Sequence, residues 1–408
     1  MKKIGILGGG QLGRMTIEAS RGLLSYIEVL SEEYPAPGAE LADETVLGDL
    51  MDREAVLELA GRVDVLSYEI EHVNVDALFE AERSGIPVMP GAGLLAIIQD
   101  KAAQKSLMDR AGIPTAPWAF VGDGQTPPTA EALIEAAANL DGFPVVQKAR
   151  RGGYDGRGVA SMRNEDDARL PSKGGRLLSA PGFIESKVDF TKELAVVVAR
   201  DTLGNVDAYP CVEMVFDERA NLCDSVLMPA AETGAVQAEA RRVALAAIDA
   251  LHVATLAEAA ERGVPTTGAV GLFGVELFLT RDGRILVNEI APRPHNSGHL
   301  TIEACVTSQF MQYYRILAGY PLGSTELLRP AMMVNLLGEA GSSGEPEYQG
   351  LPEALAVPGV SVHLYGKRSV RPFRKMGHLT AIGATAEEAI ARAEEARRCI
   401  KISGPSPQ

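Results

Sequence analysis

The chain has 408 residues, of which 46% are apolar and 23% are charged, so it is long enough for two or three domains with their own cores. Its formal net charge of -15 excludes a general nucleic-acid binder, which needs a basic face to neutralise phosphates. The four cysteines form no C-x-x-C pair and have no histidine at metal-binding spacing, which indicates reduced thiols. The apolar run after the initial MKK is too short for a signal peptide, and no apolar run approaches the roughly 20 residues that cross a bilayer, so we expect a cytoplasmic protein.

Residues 1–99 alternate short β-type runs with amphipathic helical segments. The runs are IGIL, IEVL, TVL, VDVLSYEI and IPVM, and they are separated by stretches such as DREAVLELA and VDALFEAERSG. This alternation predicts an α/β fold that begins with a parallel sheet covered by helices.

A glycine-rich loop, GILGGGQLGRM, starts in the first of these runs. Gly8, Gly10 and Gly13 form the G-x-G-x-x-G pattern, whose glycines let a phosphate approach the backbone at a helix N-terminus. Glu32 follows the next run, at the place where dinucleotide-binding folds keep an acid for a ribose hydroxyl. On this segment alone, an NAD-dependent oxidoreductase is one interpretation.

A new unit begins at PGAGLLAIIQDKAAQKSLMDRAGIP, which predicts a helix that ends at Gly112 before Pro114. From about Trp118 to Ser186 the pattern is that of a small α+β domain. Its loop RRGGYDGRGVA follows the strand-like PVVQK, and the N–H groups of such a loop can wrap phosphate oxygens beside Lys148. The loop lacks the Walker pattern, and a solvated hairpin with charged tips is the alternative.

The segment FIESKVDFTKELAVVVARD places one glutamate at the end of a strand and another at the start of the next, Glu185 and Glu193. A linker of this kind between two lobes can hold an adenine through backbone groups and a ribose through a carboxylate. A charged turn between two strands has the same pattern, so this segment alone does not decide between the two.

The segment GLFGVELFLTRDGRILVNEIAPRPHNSGH predicts a β-hairpin. Two apolar runs flank Asp282 and Gly283, a strong signal for a two-residue turn. With that turn, Glu276 lies opposite Glu289 on a buried face, where two like charges are destabilising. A hard cation such as Mg²⁺, carrying nucleotide phosphates, is expected to neutralise them. A register slip that leaves one glutamate in solvent is the alternative.

The last part of the chain, from about Ala331, has its own strand patterns. These are AMMVNLLG, VSVHLYG and HLTAIG, followed by one helical segment, AEEAIARAEEARRCI. The combination predicts a small α+β domain at the end of the chain.

Taken in chain order, these segments resemble the ATP-grasp superfamily and, more narrowly, the N5-carboxyaminoimidazole ribonucleotide synthetase family. The resemblance rests on GGGQLGRM, YEIEHV, DKAAQK, KARRGGYDGRG, NEIAPRPHNSGH, TSQF and YGKRSVRPFRKMGH. PRPHNSGH with the R-K-M-G-H ending is highly specific, whereas GGGQLG is not. The resemblance implies an α/β ATP-grasp fold: an N-terminal Rossmann-like pre-ATP-grasp domain over 1–99, an ATP-grasp domain over 100–325 with a lid subdomain at about 118–186, and a small C-terminal α+β domain over 326–408.

The resemblance also implies a reaction. Members of this family join MgATP, bicarbonate and 5-aminoimidazole ribonucleotide (AIR), and give N5-carboxy-AIR, ADP and phosphate through carboxyphosphate. ATP and Mg²⁺ are the implied cofactors, a homodimer is the implied assembly, and neither nucleic acid nor membrane is an implied partner. On this basis the first glycine loop receives the ribonucleotide phosphate instead of an NAD pyrophosphate.

Residue roles follow from the same resemblance, by position. The nucleotide contacts are Lys101, Lys148, the loop residues Gly153, Tyr154, Asp155, Gly156, Arg157, Gly158 and Val159, the adenine frame Glu185, Ser186, Lys187 and Val188, the ribose contact Glu193, and Glu213, Asn288 and Glu289. Glu276 and Glu289 hold the metal. The AIR contacts are Gln11, Leu12, Glu71, Ser297, Lys367 and Arg374. Tyr154, Asp155, Arg157, Arg293, His295 and Asn296 surround bicarbonate, carboxyphosphate and the amine, with either Asp155 or His295 as proton acceptor.

Two positions depart from the family pattern: Phe373 replaces a usual glycine, and Ala291 replaces a metal-binding asparagine found in many ATP-grasp relatives. His295 has an alternative role as the cap of a helix that begins near Thr301. Alternatives for the whole chain are another ATP-grasp enzyme acting on a purine precursor, the NAD-dependent oxidoreductase, and a nucleotide sensor without catalytic activity.

Overall fold

The first sheet is built from the short apolar runs at the start of the chain. The computed structural model describes residues 2–152, 158–169, 180–217 and 222–404. Four parallel strands, β1 (Lys3–Leu7), β2 (Tyr26–Ser31), β3 (Glu44–Leu47) and β4 (Val65–Tyr68), lie in the order β3-β2-β1-β4. Two helices, α1 (Gln11–Ser20) and α2 (Arg53–Ala60), connect strands of this sheet, and α3 (Val75–Arg83) follows β4. The predicted parallel sheet is confirmed, although the run IPVM adds only a single bridge, between Leu66 and Val88.

The stretch predicted as one helix ending at Gly112 is two helices, α4 (Ala92–Gln99) and α5 (Lys101–Arg110). Asp100 separates them with an extended backbone, and its carboxylate accepts a hydrogen bond from Ala103 N at 3.2 Å. The single-helix prediction is wrong because Asp is a strong N-cap residue, which favours a new helix start over continuation.

A second sheet of four antiparallel strands follows. Its strands are β5 (Trp118–Phe120), β6 (Val145–Ala149), β7 (Val159–Met162) and β8 (Gly182–Ser186), in the order β5-β8-β6-β7. Two helices, α6 (Ala130–Ala138) and α7 (Glu165–Arg169), accompany it. The buried side chains of Leu133, Val145, Met162 and Ile184 form its core.

The largest sheet has nine strands and continues from the middle of the chain into its last part. Eight strands follow the order β14-β13-β9-β11-β12-β15-β18-β17, and β10 pairs with β9. They are β9 (Phe190–Arg200), β10 (Val206–Ala208), β11 (Val212–Asp217), β12 (Leu222–Met228), β13 (Gly271–Thr280), β14 (Ile285–Ala291), β15 (Ala331–Leu337), β17 (Val360–Leu364) and β18 (Lys375–Ile382). A small separate sheet pairs β16 (Glu347–Gln349) with β19 (Lys401–Ser403).

Helices cover both faces of the nine-stranded sheet. They are α8 (Gly234–Arg262), α9 (Thr301–Ala304), α10 (Gln309–Ala318), α11 (Leu351–Leu355) and α12 (Ala386–Cys399). Among the described residues, α8 alone is long and apolar enough, by length and composition, to cross a membrane. Its side chains of Val243, Ala247 and Leu251 are buried in the same core as β9, β13 and β14, which is the packing of a core helix.

The N-terminal sheet is fixed to the large sheet through α10. α1 packs on α10, and the hydroxyl of Tyr313 donates to Tyr68 O at 3.0 Å. The first glycine loop, which lies between β1 and α1, is thereby held beside the segments that follow β14.

Candidate active site

The turn of the β13–β14 hairpin has three residues, not two. Thr280 N donates to Arg284 O at 2.9 Å, and Gly283 adopts the left-handed region at φ 84°. The predicted two-residue turn is therefore wrong. A left-handed glycine at the third loop position is a common alternative for the same Asp-Gly sequence.

A β-bulge at Asn288 cancels the effect of the longer turn. The pairing shifts by one residue beyond Glu276, which leaves Asn288 as the extra residue of β14. Glu276 consequently lies opposite Glu289, as predicted, so the register has not slipped. The expectation that both lie on a buried face is wrong for Glu289, whose side chain is 50% exposed. Because a bulge re-aims side chains, two consecutive residues of β14 reach toward the neighbouring segments.

Two lysines approach the bulged strand. Lys101 Nζ donates to Glu289 Oε1 at 2.9 Å, and Lys148 Nζ donates to Asn288 Oδ1 at 3.3 Å. Partial desolvation raises the pKa of the half-exposed Glu289 carboxyl, but the charges of Lys101, Lys148 and Arg293 together hold this pKa below its usual range. The site therefore presents an ionised carboxylate with ammonium groups beside it.

A third lysine, Lys105, was not predicted as a site residue. Lys105 Nζ lies 2.8 Å from Glu185 Oε1, and Lys148 Nζ lies 2.7 Å from Glu185 Oε2. Burial raises the pKa of Glu185, but the charges of Lys148 and Lys105 lower it below its ordinary value. The carboxylate of Glu185 thus holds Lys148 in place. The spacing of Lys105, one helical turn after Lys101, was the available signal in the sequence.

The backbone after Glu185 is the segment predicted to frame an adenine. Ser186 N donates to Pro117 O at 2.9 Å, and Lys187 N donates to Pro144 O at 3.0 Å. Val188 follows without a strand assignment before β9 begins. The segment is thereby attached to the sheet of β5, β6 and β8 at the point where the chain passes to the large sheet.

Asp100 ties the start of α5 to the second glycine-rich loop. Arg150 Nε lies 2.8 Å from Asp100 Oδ1, and Arg151 Nη2 lies 3.2 Å from Asp100 Oδ2. Lys101 N also donates to Arg150 O at 2.9 Å. Asp100 is 3% exposed, so its charge is compensated by these two arginines. Asp100 was not among the predicted site residues, although it lies in the motif DKAAQK.

The two glutamates predicted at the ribose and at an additional nucleotide contact lie in different surroundings. Burial, and then the charge of Glu276, raise the pKa of Glu193 to about 7. Glu213 instead accepts from Lys192 Nζ at 2.8 Å and from Ala231 N at 3.3 Å. Glu193 therefore belongs with the hairpin glutamates, whereas Glu213 lies in a separate ion pair.

The segment after β14 holds a histidine against the glutamate pair. His295 Nε2 lies 3.2 Å from Glu276 Oε1, and His295 Nδ1 lies 2.8 Å from Ser297 Oγ. Gln309, in the quoted motif TSQF, accepts from His295 N at 2.9 Å and donates to His295 O at 2.7 Å. A Cβ at Gly274 would lie 2.4 Å from His295 Cγ, so only glycine leaves room for the ring.

The alternative role of His295 as a cap for the helix near Thr301 is wrong in that form. His295 caps the short 3-10 helix Asn296–Gly298 by accepting from Ser297 N at 3.3 Å, and α9 begins after Leu300. Capping and the contact with Glu276 use different nitrogens of the ring. Both can therefore hold at once.

Arg293 joins this segment to the N-terminal sheet. Its Nε lies 2.9 Å from Glu71 Oε1, and both side chains are largely shielded from solvent. The pairing brings together Arg293, predicted beside bicarbonate, carboxyphosphate and the amine, and Glu71, predicted to orient the AIR ribose or amine.

The first glycine loop differs from the prediction. Gly10 N and Gly13 N both donate to the carboxylate of Glu69, which is 8% exposed. The prediction that these glycines receive a ligand phosphate is wrong for the two amides, because a carboxylate of the chain itself occupies them. Gln11 and Leu12 are the first two residues of α1, between these amides.

A basic cavity of about 210 Å³ lies between a loop of the N-terminal domain and a loop of the last domain. The loop over residues 33–37 lines one side, and Lys367, Arg368, Arg371 and Arg374 line the other. Burial, and then the charge of Arg374, lower the pKa of Lys367 to about 7. Two of the predicted AIR contacts, Lys367 and Arg374, thus share a cavity rich in positive charge.

Phe373 adopts the backbone that the usual glycine would provide. Its φ is 61°, in the left-handed region. The turn is formed nonetheless: Phe373 N donates to Gly338 O at 2.9 Å, and Arg374 Nη1 donates to Ser369 O at 2.8 Å. Replacement of the glycine therefore leaves Arg374 at the cavity.

Five loop residues predicted to close over the nucleotide, Gly153, Tyr154, Asp155, Gly156 and Arg157, lie outside the described residues. Of the same loop, Gly158 has φ 75° and its carbonyl accepts from Ala149 N at 2.8 Å, while Val159 begins β7. In the part of the chain that the structure describes, no group of three or more His, Cys, Asp or Glu side chains is placed to hold a metal ion. The predicted pair Glu276 and Glu289 supplies two carboxylates.

Family comparisons agree with this architecture. The ribonucleotide synthetase preATP-grasp domain matches residues 1–99, the ATP-grasp domain matches residues 106–258 and 253–310, and the phosphoribosylaminoimidazole carboxylase C-terminal domain matches residues 331–392. The fold and the site together define an ATP-grasp ligase.

Relatives of known name narrow this class. The N5-carboxyaminoimidazole ribonucleotide synthase of Synechococcus elongatus is 37% identical over 413 residues, which cover 100% of this chain and 96% of that protein. The chain belongs to the N5-carboxyaminoimidazole ribonucleotide synthase family. The oxidoreductase interpretation of the first glycine loop is therefore wrong. The phosphoribosylaminoimidazole carboxylase of Ogataea methanolica is 40% identical over 387 residues, but this chain spans only 66% of its length.

Solved structures show the same fold. The crystal structure of N5-carboxyaminoimidazole ribonucleotide synthetase from Thermotoga maritima has a TM-score of 0.84 and 42% identity, and the match covers 99% of this chain and 100% of that one. The Aspergillus clavatus enzyme in complex with ADP and 5-aminoimidazole ribonucleotide has a TM-score of 0.84 and 33% identity over 98% of both chains.

Proposed function

We propose that this chain carboxylates the exocyclic amine of AIR with ATP and bicarbonate, in the synthesis of purines. A bicarbonate oxygen attacks the γ-phosphorus of ATP, the bond to ADP breaks, and carboxyphosphate forms. Carboxyphosphate releases phosphate and delivers CO₂, the amine nitrogen forms the new bond to its carbon, and the amine gives up a proton. The complex of the Aspergillus clavatus relative with ADP and AIR supports this assignment of substrates.

The observation that carries the proposal is the position of the glutamate pair between two groups of side chains. Glu289 faces Lys101 at 2.9 Å, and Glu276, directly opposite on the sheet, faces His295 at 3.2 Å. The carboxylate of Glu289 therefore lies beside the lysines that are suited to bind phosphate oxygens. The other belongs with the PRPHNSGH segment, which carries the residues proposed for the carboxylated amine.

Lys101 and Lys148 are proposed to bind the ATP phosphates, because phosphoryl transfer depends chiefly on positioning and charge neutralisation. The donor set fits Mg²⁺, since two carboxylates and the amide oxygen of Asn288 are the oxygen ligands that this ion prefers. Mg²⁺ when bound supplies positive charge at the phosphate oxygens. Glu276 and Glu289 would hold it.

The acceptor is proposed to lie between the basic cavity and the His295 segment. Lys367 and Arg374 bind the AIR phosphate, a dianion that suits charge-assisted hydrogen bonds. Glu71 pairs with Arg293 at 2.9 Å. It is proposed to orient the AIR ribose or amine. His295 and Asn296 are proposed to contact the carboxylated centre, together with Tyr154, Asp155 and Arg157. The proton acceptor is proposed to be His295 or Asp155.

We further propose the domain limits 1–99, 100–325 and 326–408, with the lid at about 118–186, and a cytoplasmic homodimer.

A single test addresses the function: phosphate release from MgATP and bicarbonate, with and without AIR, beside a titration with NADH. The proposal expects release that rises strongly with AIR and no binding of NADH. Release that ignores AIR would show that the acceptor is another molecule.

A further inference from the structure

Glu69 is a buried carboxylate that the proposed reaction does not use. It ends the run VDVLSYE, and it is 8% exposed. Its two oxygens accept hydrogen bonds from different amides, Gly10 N and Gly13 N, at the start of α1. Glu69 therefore takes the position that the G-x-G-x-x-G pattern normally reserves for a ligand phosphate.

The glycines of the loop make room for this carboxylate rather than for a ligand. A Cβ at Gly8 would lie 2.4 Å from Glu69 Cγ, and one at Gly10 would lie 2.7 Å from Glu69 Oε1. Backbone amides at a helix start carry partial positive charge, so an ionised carboxylate is stabilised there. Burial nevertheless raises the pKa of Glu69 against the opposing effect of the two amides.

The loop that Glu69 holds leads directly to the acceptor side of the site. Arg293 and Lys367 both lie close enough for their charges to act on Glu69. Arg14, on the first turns of α1, approaches Gly366: a Cβ at that glycine would lie 3.0 Å from Arg14 Nη1. The start of α1 is thus packed between Glu69 and the loop between β17 and β18, which carries Lys367.

We propose that Glu69 is a positioning and specificity-determining residue: its carboxylate occupies the amides of Gly10 and Gly13, excludes phosphate and pyrophosphate from them, and fixes α1 so that Gln11 and Leu12 contact AIR. The ligand phosphate is directed to the basic cavity instead. The role in AIR contact rests on the proposed function. The occupation of the amides by an internal anion does not.

The test is the substitution Glu69→Ala, which removes a CH₂COO⁻ group and leaves a space that acetate can refill. Loss of the two charge-assisted hydrogen bonds that fix the start of α1 is expected to raise KM for AIR by about tenfold or more. KM for ATP is expected to change less than about twofold. Acetate is expected to restore the KM for AIR and to raise the melting temperature of the variant, but not of the unsubstituted protein.

Glu82→Ala is the matched control. Glu82 is also a buried glutamate at a helix start, 4% exposed, and accepts from Ala92 N of α4 at 3.3 Å. Its loss is expected to lower stability without changing the ratio of the two KM values. If Glu69→Ala is insoluble, Glu69→Gln keeps the shape and one acceptor oxygen, and a smaller rise of KM for AIR without an acetate response is expected.

Equal rises of both KM values, or an unchanged KM for AIR, would overturn the positioning role. A variant whose melting temperature ignores acetate would overturn the occupation of the amides. Failure of the proposed function is separable, because it would appear as phosphate release by the unsubstituted protein that does not respond to AIR.

Discussion

Lys367 is a partly buried lysine with several cationic side chains nearby, and its protonation changes the charge of the basic cavity near neutral pH. Its pKa is lowered to about 7 by burial and by Arg374, from an ordinary value of 10.5. Between these values the unfolded chain binds a proton that the folded chain does not. The stability of the free protein therefore rises with pH across this interval through this group. A phosphate dianion favours the ammonium form, so binding above pH 7 must take up a proton.

We expect KM for AIR to rise between pH 7 and pH 9, toward about tenfold per pH unit in the limit, because the cavity loses its Lys367 charge. Lys367→Arg should flatten this rise, since a guanidinium group stays protonated throughout the range. Measurement of KM for AIR and for ATP across this range in both proteins makes the comparison. An equally steep profile in the arginine variant would remove Lys367 as its cause.

Glu289→Gln tests the proposed metal contact. Loss of the carboxylate charge beside the phosphates should lower Mg²⁺-dependent phosphate release by about a hundredfold or more, in line with loss of one transition-state contact. Glu347→Gln is the control, because Glu347 is exposed on β16 in the small two-stranded sheet. Release that keeps its rate and its Mg²⁺ requirement in Glu289→Gln would show that the ion is held elsewhere.

Phe373→Gly tests the strain at the departure from the family pattern. A left-handed backbone costs a side-chain-bearing residue about 1–2 kcal/mol. Phe373 is 42% exposed, so burial of its ring offsets only part of this destabilisation. The variant should unfold at a higher urea concentration, with KM for AIR unchanged. Leu24→Gly is the matched case at φ 54°, since Leu24 is 79% exposed, and a loss of stability in Phe373→Gly alone would contradict the strain argument.

At the level of elements, the β13–β14 hairpin shows how much of a strand pairing can be predicted from the sequence. The apolar runs and the Asp-Gly pair predict the hairpin, and the pairing of Glu276 with Glu289 is confirmed. The route to that pairing is not as predicted, because an extra turn residue and the extra residue Asn288 compensate each other. Hydrophobic pattern constrains which face a residue occupies, but it does not report a pair of compensating insertions.

Other elements needed tertiary information. The motif YEIEHV contains two glutamates, and only Glu71 was predicted as a site residue. In the structure the other one, Glu69, accepts hydrogen bonds from the glycine loop. Nothing in the sequence distinguishes these two glutamates. Asp100 caps the start of α5 and Lys105 lies in its middle, and their roles depend on Arg150 and on Glu185, which come from distant segments. Local pattern predicts the elements; it does not predict which charged side chains are buried together.

Gly274→Ala tests whether the space left by the glycine in β13 is needed to hold His295 beside Glu276. A Cβ at this position would lie 2.5 Å from His295 Cβ, so the ring must move away from Glu276. We expect kcat to fall by about tenfold or more, because small displacements of positioned groups have large effects on rate. Gly234→Ala is the control, since a Cβ there meets nothing within 4 Å. An unchanged kcat in Gly274→Ala would show that the contact of His295 with Glu276 is dispensable.

On the scale of the whole molecule, the last part of the chain is continuous with the centre. β12 pairs with β15, so the nine-stranded sheet runs across the limit expected near residue 326. An ion pair between Arg397 and Asp224 reinforces the junction. The final segment therefore completes the ATP-grasp sheet as well as lining the basic cavity.

Truncation after Arg329 is expected to give an aggregating protein rather than a smaller nucleotide-binding one. Removal of β15 exposes the edge of β12 and its unpaired backbone groups, which favours association between chains. Size-exclusion chromatography, with thermal melting in the presence of MgADP, measures the outcome. A monomeric fragment that MgADP still stabilises would mean that the sheet junction is unnecessary for the nucleotide site.

The basic cavity also sets an order of events during biosynthesis of the protein. One wall comes from residues 33–37 and the other from residues 367–374. The glutamates and lysines proposed for ATP have all left the ribosome well before Lys367 is translated. The grip on the second substrate is therefore the last part of the site to be synthesised, and coupling between the two substrates cannot begin before residues 367–374 have been made.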